Sequence, residues 1–342
     1  MHKRMLGASR RLAALPAEQR TPELQEWLHR AQANDAYWHG LFGGLYLPHL
    51  RRAVYGALVE LEALLDAVQP RPVQASLDID LDGAQELFLG DRIVQAVVRD
   101  DGDAAVVEFD AYALRHNFGD TLRRRTEHYY RKLHLGEQRD AQHAGIASAH
   151  DRVSFKHEIK PVDIEPDERP RALFVDRFEV GDAWQAPAYR LRGCDDKGAR
   201  FAAASAALDI DKHIAVRDGA LVVRYDIAAH AATAFETRVD LAMPSCDGFL
   251  GRYVFEGRVP GGFGQPLVLP AMTAVNLEDG VLRGSLALLT SAPVSLHAAP
   301  LHTVSQSEDG FEKIMQSVTL TLRWPLATGA NSITIALEAR KA

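Results

Sequence analysis

Asp218-Gly219-Ala220-Leu221-Val222-Val223-Arg224-Tyr225-Asp226-Ile227 opens with a turn dipeptide and continues as a run of branched and aromatic residues. Such residues suit a pleated, half-buried surface, and Asp-Gly is a hairpin signal. The theme recurs along the chain. Ala104 to Tyr112 carries Val107, Phe109 and Ala111 in alternation, and Leu282 to Leu289, Ser317 to Trp324 and Ser332 to Ala339 repeat it. Leu77, Ile79 and Leu81 alternate with Ser76, Asp78, Asp80 and Asp82. Asp101-Gly102, Asp247-Gly248, Asp279-Gly280 and Asp309-Gly310 supply further turns. Many strands joined by short polar turns predict a large antiparallel β-sandwich over 71–342, too long for an immunoglobulin-sized unit.

Upstream of this body, 1–70 reads as a helical segment, so the chain is α+β, mainly β. His2 to Leu15 is rich in helix formers and stops at Pro16. Thr21-Pro22-Glu23 places an N-cap, a first-turn proline and an acidic residue in order. Pro48 starts a further helix whose Leu47, Leu50, Val54, Leu58, Leu61, Leu65 and Val68 form one apolar stripe, ended by Pro70 and Pro72.

The 342 residues are 47% hydrophobic and 25% charged, with a net charge of -7. This is a globular composition, and its acidic balance argues against a nucleic-acid or anionic-membrane partner. The basic run Arg123-Arg124-Arg125 has Glu127 beside it and reads as a solvated or ion-paired face. Two cysteines without CxxC spacing exclude a disulfide scaffold and a zinc ribbon. No secretory h-region and no apolar run of membrane-spanning length is present, so a cytoplasmic location is expected.

Between the second and third helices lies Asn34-Asp35-Ala36-Tyr37-Trp38-His39-Gly40, continuing through Gly43-Gly44 to Arg51. It resembles the fifth motif of glycoside hydrolase family 57, the α-amylase and 4-α-glucanotransferase group. Asn117-Phe118-Gly119-Asp120-Thr121-Leu122-Arg123-Arg124-Arg125-Thr126-Glu127 resembles a stretch of that family's C-terminal domain, as do Ala149 to Val153 with Lys156. Gly310 to Gln316 with Arg323-Trp324-Pro325-Leu326 resembles its last strands, and His2 to Leu6 its approach to the fifth motif. The resemblance implies a sandwich of the galactose-mutarotase-like kind after the end of a helical middle domain. It further implies a retaining mechanism, in which two carboxyl groups stand roughly 5–5.5 Å apart. The family carries that pair on a barrel whose motifs have no counterpart in these residues, so no catalytic residue is assigned. The chain is expected to be inactive alone, as a fragment or as a subunit completed by a barrel-bearing chain. A stand-alone carbohydrate-binding or mutarotase-like domain is the alternative. The stripe on the Pro48 helix is expected to pack on both the sandwich and that barrel, leaving an apolar patch where the barrel is absent.

The same resemblance makes the motif the α-glucan contact. Trp38 would cover the flat face of a sugar, while Asp35 and His39 bond its hydroxyl edge, with Asn34 and Tyr37 as weaker contacts. Core packing of Tyr37 and Trp38 is the competing reading. Asp120, Arg124 and Glu127 are expected in an interdomain ion-pair network. Asp78, Asp80, Asp82 and Gly83 imitate the start of a calcium loop, but Leu89 stands where the bidentate Glu belongs. His128 and His134, His143 and His150, and His297 and His302 lack metal-site spacing. The Gly-rich stretch Val259 to Pro266 lacks a P-loop's Lys-Ser/Thr and reads as a turn. Neither a metal nor a cofactor is expected.

Overall fold

The computed structural model describes every residue except 41–42, 73, 80, 82, 84, 134–154, 247–249 and 308–309. Asp80 and Asp82 of the calcium-loop comparison, His134, His143 and His150, the stretch Ala149 to Val153 and the turn residues Asp247, Gly248 and Asp309 lie outside the described residues.

Three helices lead: α1 (His2–Ala14), α2 (Pro22–Ala31) and α3 (Pro48–Val68). α1 ends at Leu15, which is extended because the following proline disfavours a helical residue before it. α2 starts where Thr21 accepts a bond from the Leu24 N–H at 3.3 Å. The α3 stripe closes on its neighbours: Val54, Leu58, Leu61 and Leu65 cluster with Met5, Ala8 and Leu12 of α1 and Leu24 and Ala31 of α2. The middle of the stripe is thus covered by α1 and α2, with Leu58 and Leu61 fully buried, while Leu47 and Leu50 are half-buried and Val68 at its end is exposed. Among the described residues, no helix is long and apolar enough to cross a membrane.

From Gln74 onward the chain is an antiparallel two-layer body. One layer runs Arg190–Asp195, Gly198–Ala204, Leu208–Arg217, Ala220–Ala229, Gly329–Lys341. It continues through 284–290 and 274–279 to Gly251–Phe255 and Arg258–Gly262. The other runs Gln74–Leu77, Glu86–Gly90, Val94–Arg99, Val106–Ala111, Leu173–Val180, Thr233–Leu241, Gly310–Leu326. It continues through 295–307 to 267–269. The strands Leu267–Asp279 and Gly284–Ser307 thus serve both layers, and register shifts around Met272 mark where the first bends across.

The quoted run is the strand Ala220–Ala229. Leu221, Val223, Tyr225 and Ile227 point inward, while Arg224 and Asp226 face out and pair with each other. Its inner side meets Leu87, Val98 and Phe109 of the opposite layer in one continuous core. The strand expected through Leu81 ends at Leu77. Ile79 N–H turns to the Glu86 carboxylate at 2.9 Å, and Leu81 takes a left-handed φ of 57°.

Strands Glu86–Gly90 and Val94–Arg99 are buried on both faces. Side chains of α1 and α3 reach the outer face of this layer. Arg4 bonds Glu62 at 2.7 and 3.0 Å and Asp110 at 2.9 Å, and also contacts Glu108. Gln95 bonds Glu62 at 2.9 Å and Asp110 at 2.5 Å. Arg71 joins Asp66 to the same group at 2.7 Å. Burial alone would push the Glu62 carboxyl up, but Arg4 and then Arg71 outweigh it and hold it well below the ordinary range.

Candidate functional site

After α2 the chain makes a short 3-10 turn, Asn34–Tyr37, and two paired stretches, His39–Gly40 and Gly43–Gly44. Gly44 has a φ of +107°, and a Cβ there would lie 2.0 Å from the Trp38 carbonyl oxygen. That oxygen accepts from Leu45 N–H at 2.8 Å. Only glycine allows the returning backbone to pass so close.

The structure divides the five candidate residues into two groups. Asn34 and Asp35 are exposed, and so is Trp38, at 42%. Tyr37 turns inward. Its hydroxyl donates to Ala31 O at 2.5 Å, its ring meets His2 edge-on at 5.5 Å, and burial raises its pKa to about 12. His39 is half-buried, edge-on to Tyr46 at 4.8 Å and tilted against Tyr129 at 5.3 Å. Burial lowers the His39 pKa, and the Glu127 carboxylate opposes that shift.

The β body braces this turn with residues the motif alone does not reveal. The Tyr46 hydroxyl donates to Glu127. Tyr129 and Tyr130 both donate to the Val304 carbonyl, at 3.1 and 3.0 Å. Arg51, almost fully buried, donates to Asp120 at 2.9 Å, Leu45 O at 2.6 Å and Gln316 at 2.9 Å. Gln316 in turn donates to Tyr46 O at 2.9 Å and to Thr303 at 2.8 Å. Of the three charges expected between segments, Asp120 and Glu127 do reach the helical part. Arg124 instead pairs within the β body, with Asp167 at 2.8 Å. Burial raises the Asp167 carboxyl, but Arg171 and Arg124 overcome this and bring it down to about 2.

Beside this brace, a cleft of 780 Å³ opens between the helical segment and the β body, with Tyr46, Arg51, Glu108, Asp120 and Glu127 among its walls. Each of these carboxylates already has a partner: Glu108 has Arg4, Asp120 has Arg51, and Glu127 has Tyr46. Among the described residues, no group of three or more His, Cys, Asp or Glu is placed to hold a metal ion. The exposed indole with Asn34 and Asp35 on the same turn offers a flat apolar platform beside hydrogen-bonding edges.

Two family models match the chain. The alpha-amylase/4-alpha-glucanotransferase middle domain covers residues 1–65, and the C-terminal domain of the same name covers 78–183 and 180–337. An alpha-amylase of Pyrococcus abyssi is 29% identical over 95% of this chain and 48% of its own length. A 4-alpha-glucanotransferase of Thermococcus kodakarensis is also 29% identical, over 95% of this chain and 48% of its own length. The solved 4-alpha-glucanotransferase of Thermococcus litoralis superposes with a TM-score of 0.74 at 22% identity, covering 100% of this chain and 51% of that one. The chain spans about half the length of the curated relatives it matches.

Proposed function

The chain belongs to the alpha-amylase/4-alpha-glucanotransferase family, corresponding to its middle and C-terminal domains, and from that premise we propose that these residues form the glucan-contacting rim and scaffold of an α-glucan-processing enzyme. Asp35, Trp38 and His39 meet the glucan with Asn34 at its margin, and Tyr37, turned inward onto Ala31 O and His2, supports the turn from beneath. The two catalytic carboxyl groups come from polypeptide outside these residues, in the same enzyme or in a separate barrel-bearing chain. The segment 1–70 carries the motif, and 71–342 holds it in place.

One observation carries this reading. Trp38 is exposed with Asp35 beside it, on a turn pinned by a buried polar brace. A core tryptophan would be covered; a sugar platform has to be open and rigid.

The test pairs two measurements on the purified chain. Isothermal titration with maltoheptaose should show binding that Trp38→Ala and Asp35→Ala each weaken about tenfold, the scale of one lost stacking or charged hydrogen-bond contact. Reducing-sugar release from the same substrate should stay at background. Turnover abolished by changing a carboxylate within these residues would overturn the assignment of chemistry, and binding indifferent to both substitutions would overturn the assignment of the rim.

A further inference from the structure

We propose that Glu127, which lies outside the motif and on the β body, is the positioning residue of the glucan-contacting turn, acting through Tyr46 on His39 and so on the adjacent Trp38. The inference rests on the reading above that this turn meets the glucan. The backbone of the turn is held by its two short paired stretches and by the Trp38–Leu45 and Gly44–Leu47 bonds. The side chain of His39 is instead seated between two phenol rings, each fixed from the β body. Tyr46 is held by Glu127, and Tyr129 by the Val304 carbonyl. Among the described residues, the buried Nδ1 of His39 has no hydrogen-bond partner. With Nδ1 unpaired among the described residues, the flanking rings orient the imidazole, and the orientation passes to whatever holds the rings.

Glu127 is the charged member of this set. Among the described residues, the ionisable groups around His39 are the phenols of Tyr46 and Tyr129 and the Glu127 carboxylate; Tyr130 and Arg125 act on Tyr46. Glu127 therefore has two separable effects. Its oxygen accepts the Tyr46 proton and sets geometry. Its negative charge favours the protonated form of His39 against burial. Glutamine keeps the first effect and removes the second, while alanine removes both.

The experiment uses the full chain. Maltoheptaose affinity is measured by titration calorimetry for wild type, Glu127→Ala, Glu127→Gln, Tyr46→Phe, Trp38→Ala and Asp35→Ala. The His39 ring is followed by NMR across pH, assigned with His39→Gln. Glu127→Ala and Tyr46→Phe should each weaken binding about tenfold, the scale of one hydrogen bond to a charged group. Glu127→Gln should restore most of the affinity at neutral pH while its His39 titration moves to lower pH. An unchanged His39 titration in Glu127→Gln overturns the inference, as does wild-type affinity in Glu127→Ala when Trp38→Ala has lost it. If Trp38→Ala and Asp35→Ala leave binding untouched, or wild type does not bind, the rim reading falls instead; the titration then decides by itself whether Glu127 governs His39.

Discussion

Gly44 shows how much of the candidate site depends on one missing side chain. A Cβ at this residue would press on the Trp38 carbonyl, and its φ of +107° is one that L side chains rarely adopt. Gly44→Ala should therefore cost about 1–3 kcal/mol in urea unfolding and displace Trp38 enough to weaken maltoheptaose binding. Gly264 is the control. A Cβ there meets nothing within 4 Å, so Gly264→Ala should leave both quantities unchanged. Equal losses from the two substitutions would show that the close approach at Trp38 is not what selects glycine. The sequence made the neighbourhood of this residue readable, because Tyr, Trp, His and paired glycines crowd into one short stretch between two helices. It did not reveal which aromatic side chains turn inward. Tyr37 turns inward because Ala31 O and the His2 ring lie beneath it, and His39 because Tyr46 and Tyr129 flank it. Tyr129 is remote in sequence, and a linear motif carries no trace of it.

At the scale of elements, apolar periodicity was legible and polar partnership was not. Spacing by three and four announced α3, and alternation announced Ala220–Ala229. The same alternation places Lys212 on the inward side of Leu208–Arg217, between Ile210 and Ile214, which looks like a flaw in a core strand. It is satisfied by Asp176 at 2.7 Å and Phe174 O at 2.7 Å, both from a strand that local pattern does not connect to it. Arg4 is the counterpart at the joint between α1, α3 and the β body. It is buried among Glu62, Glu108 and Asp110. Removing Arg4 takes away the cation that Glu62, Glu108 and Asp110 share and leaves Glu62 only Arg71, so Arg4→Met should cost about 3–5 kcal/mol. Pairing Arg4→Met with Glu62→Met should cost less than the sum of the two single changes, because the second change removes a charge that the first had stranded. Additive losses in urea unfolding would mean that the joint is held by apolar contact alone. Arg51 has the same logic on the other side of α3, tying Leu45, Asp120 and Gln316 together.

For the molecule as a whole, these buried charges set how stability depends on pH. His39, His116, His213 and His302 are all held below the ordinary imidazole value of 6.5, with burial the leading cause for each. A group with a depressed folded pKa binds its proton first in the unfolded chain. Stability from these four is therefore complete above 6.5 and declines as pH falls toward their folded values. Glu62 and Asp167 are also depressed, from ordinary values of 4.5 and 3.8. Their contribution is complete above those values and is lost as pH falls below them. Through these groups the urea midpoint should be flat just above pH 6.5, decline gently below it and fall steeply below 4.5. His116→Gln should reduce only the first decline, since His116 is almost wholly buried and bonds Ala242 O at 2.7 Å. Glu62 lies at the joint, so acid weakens the seating of the helical segment, while Asp167 clamps Arg124 and Arg171 within the β body. Maltoheptaose binding should thus fail at a higher pH than the far-ultraviolet β signal. If both are lost together at every pH, the turn and the β body unfold as one unit and the joint is not the acid-sensitive element.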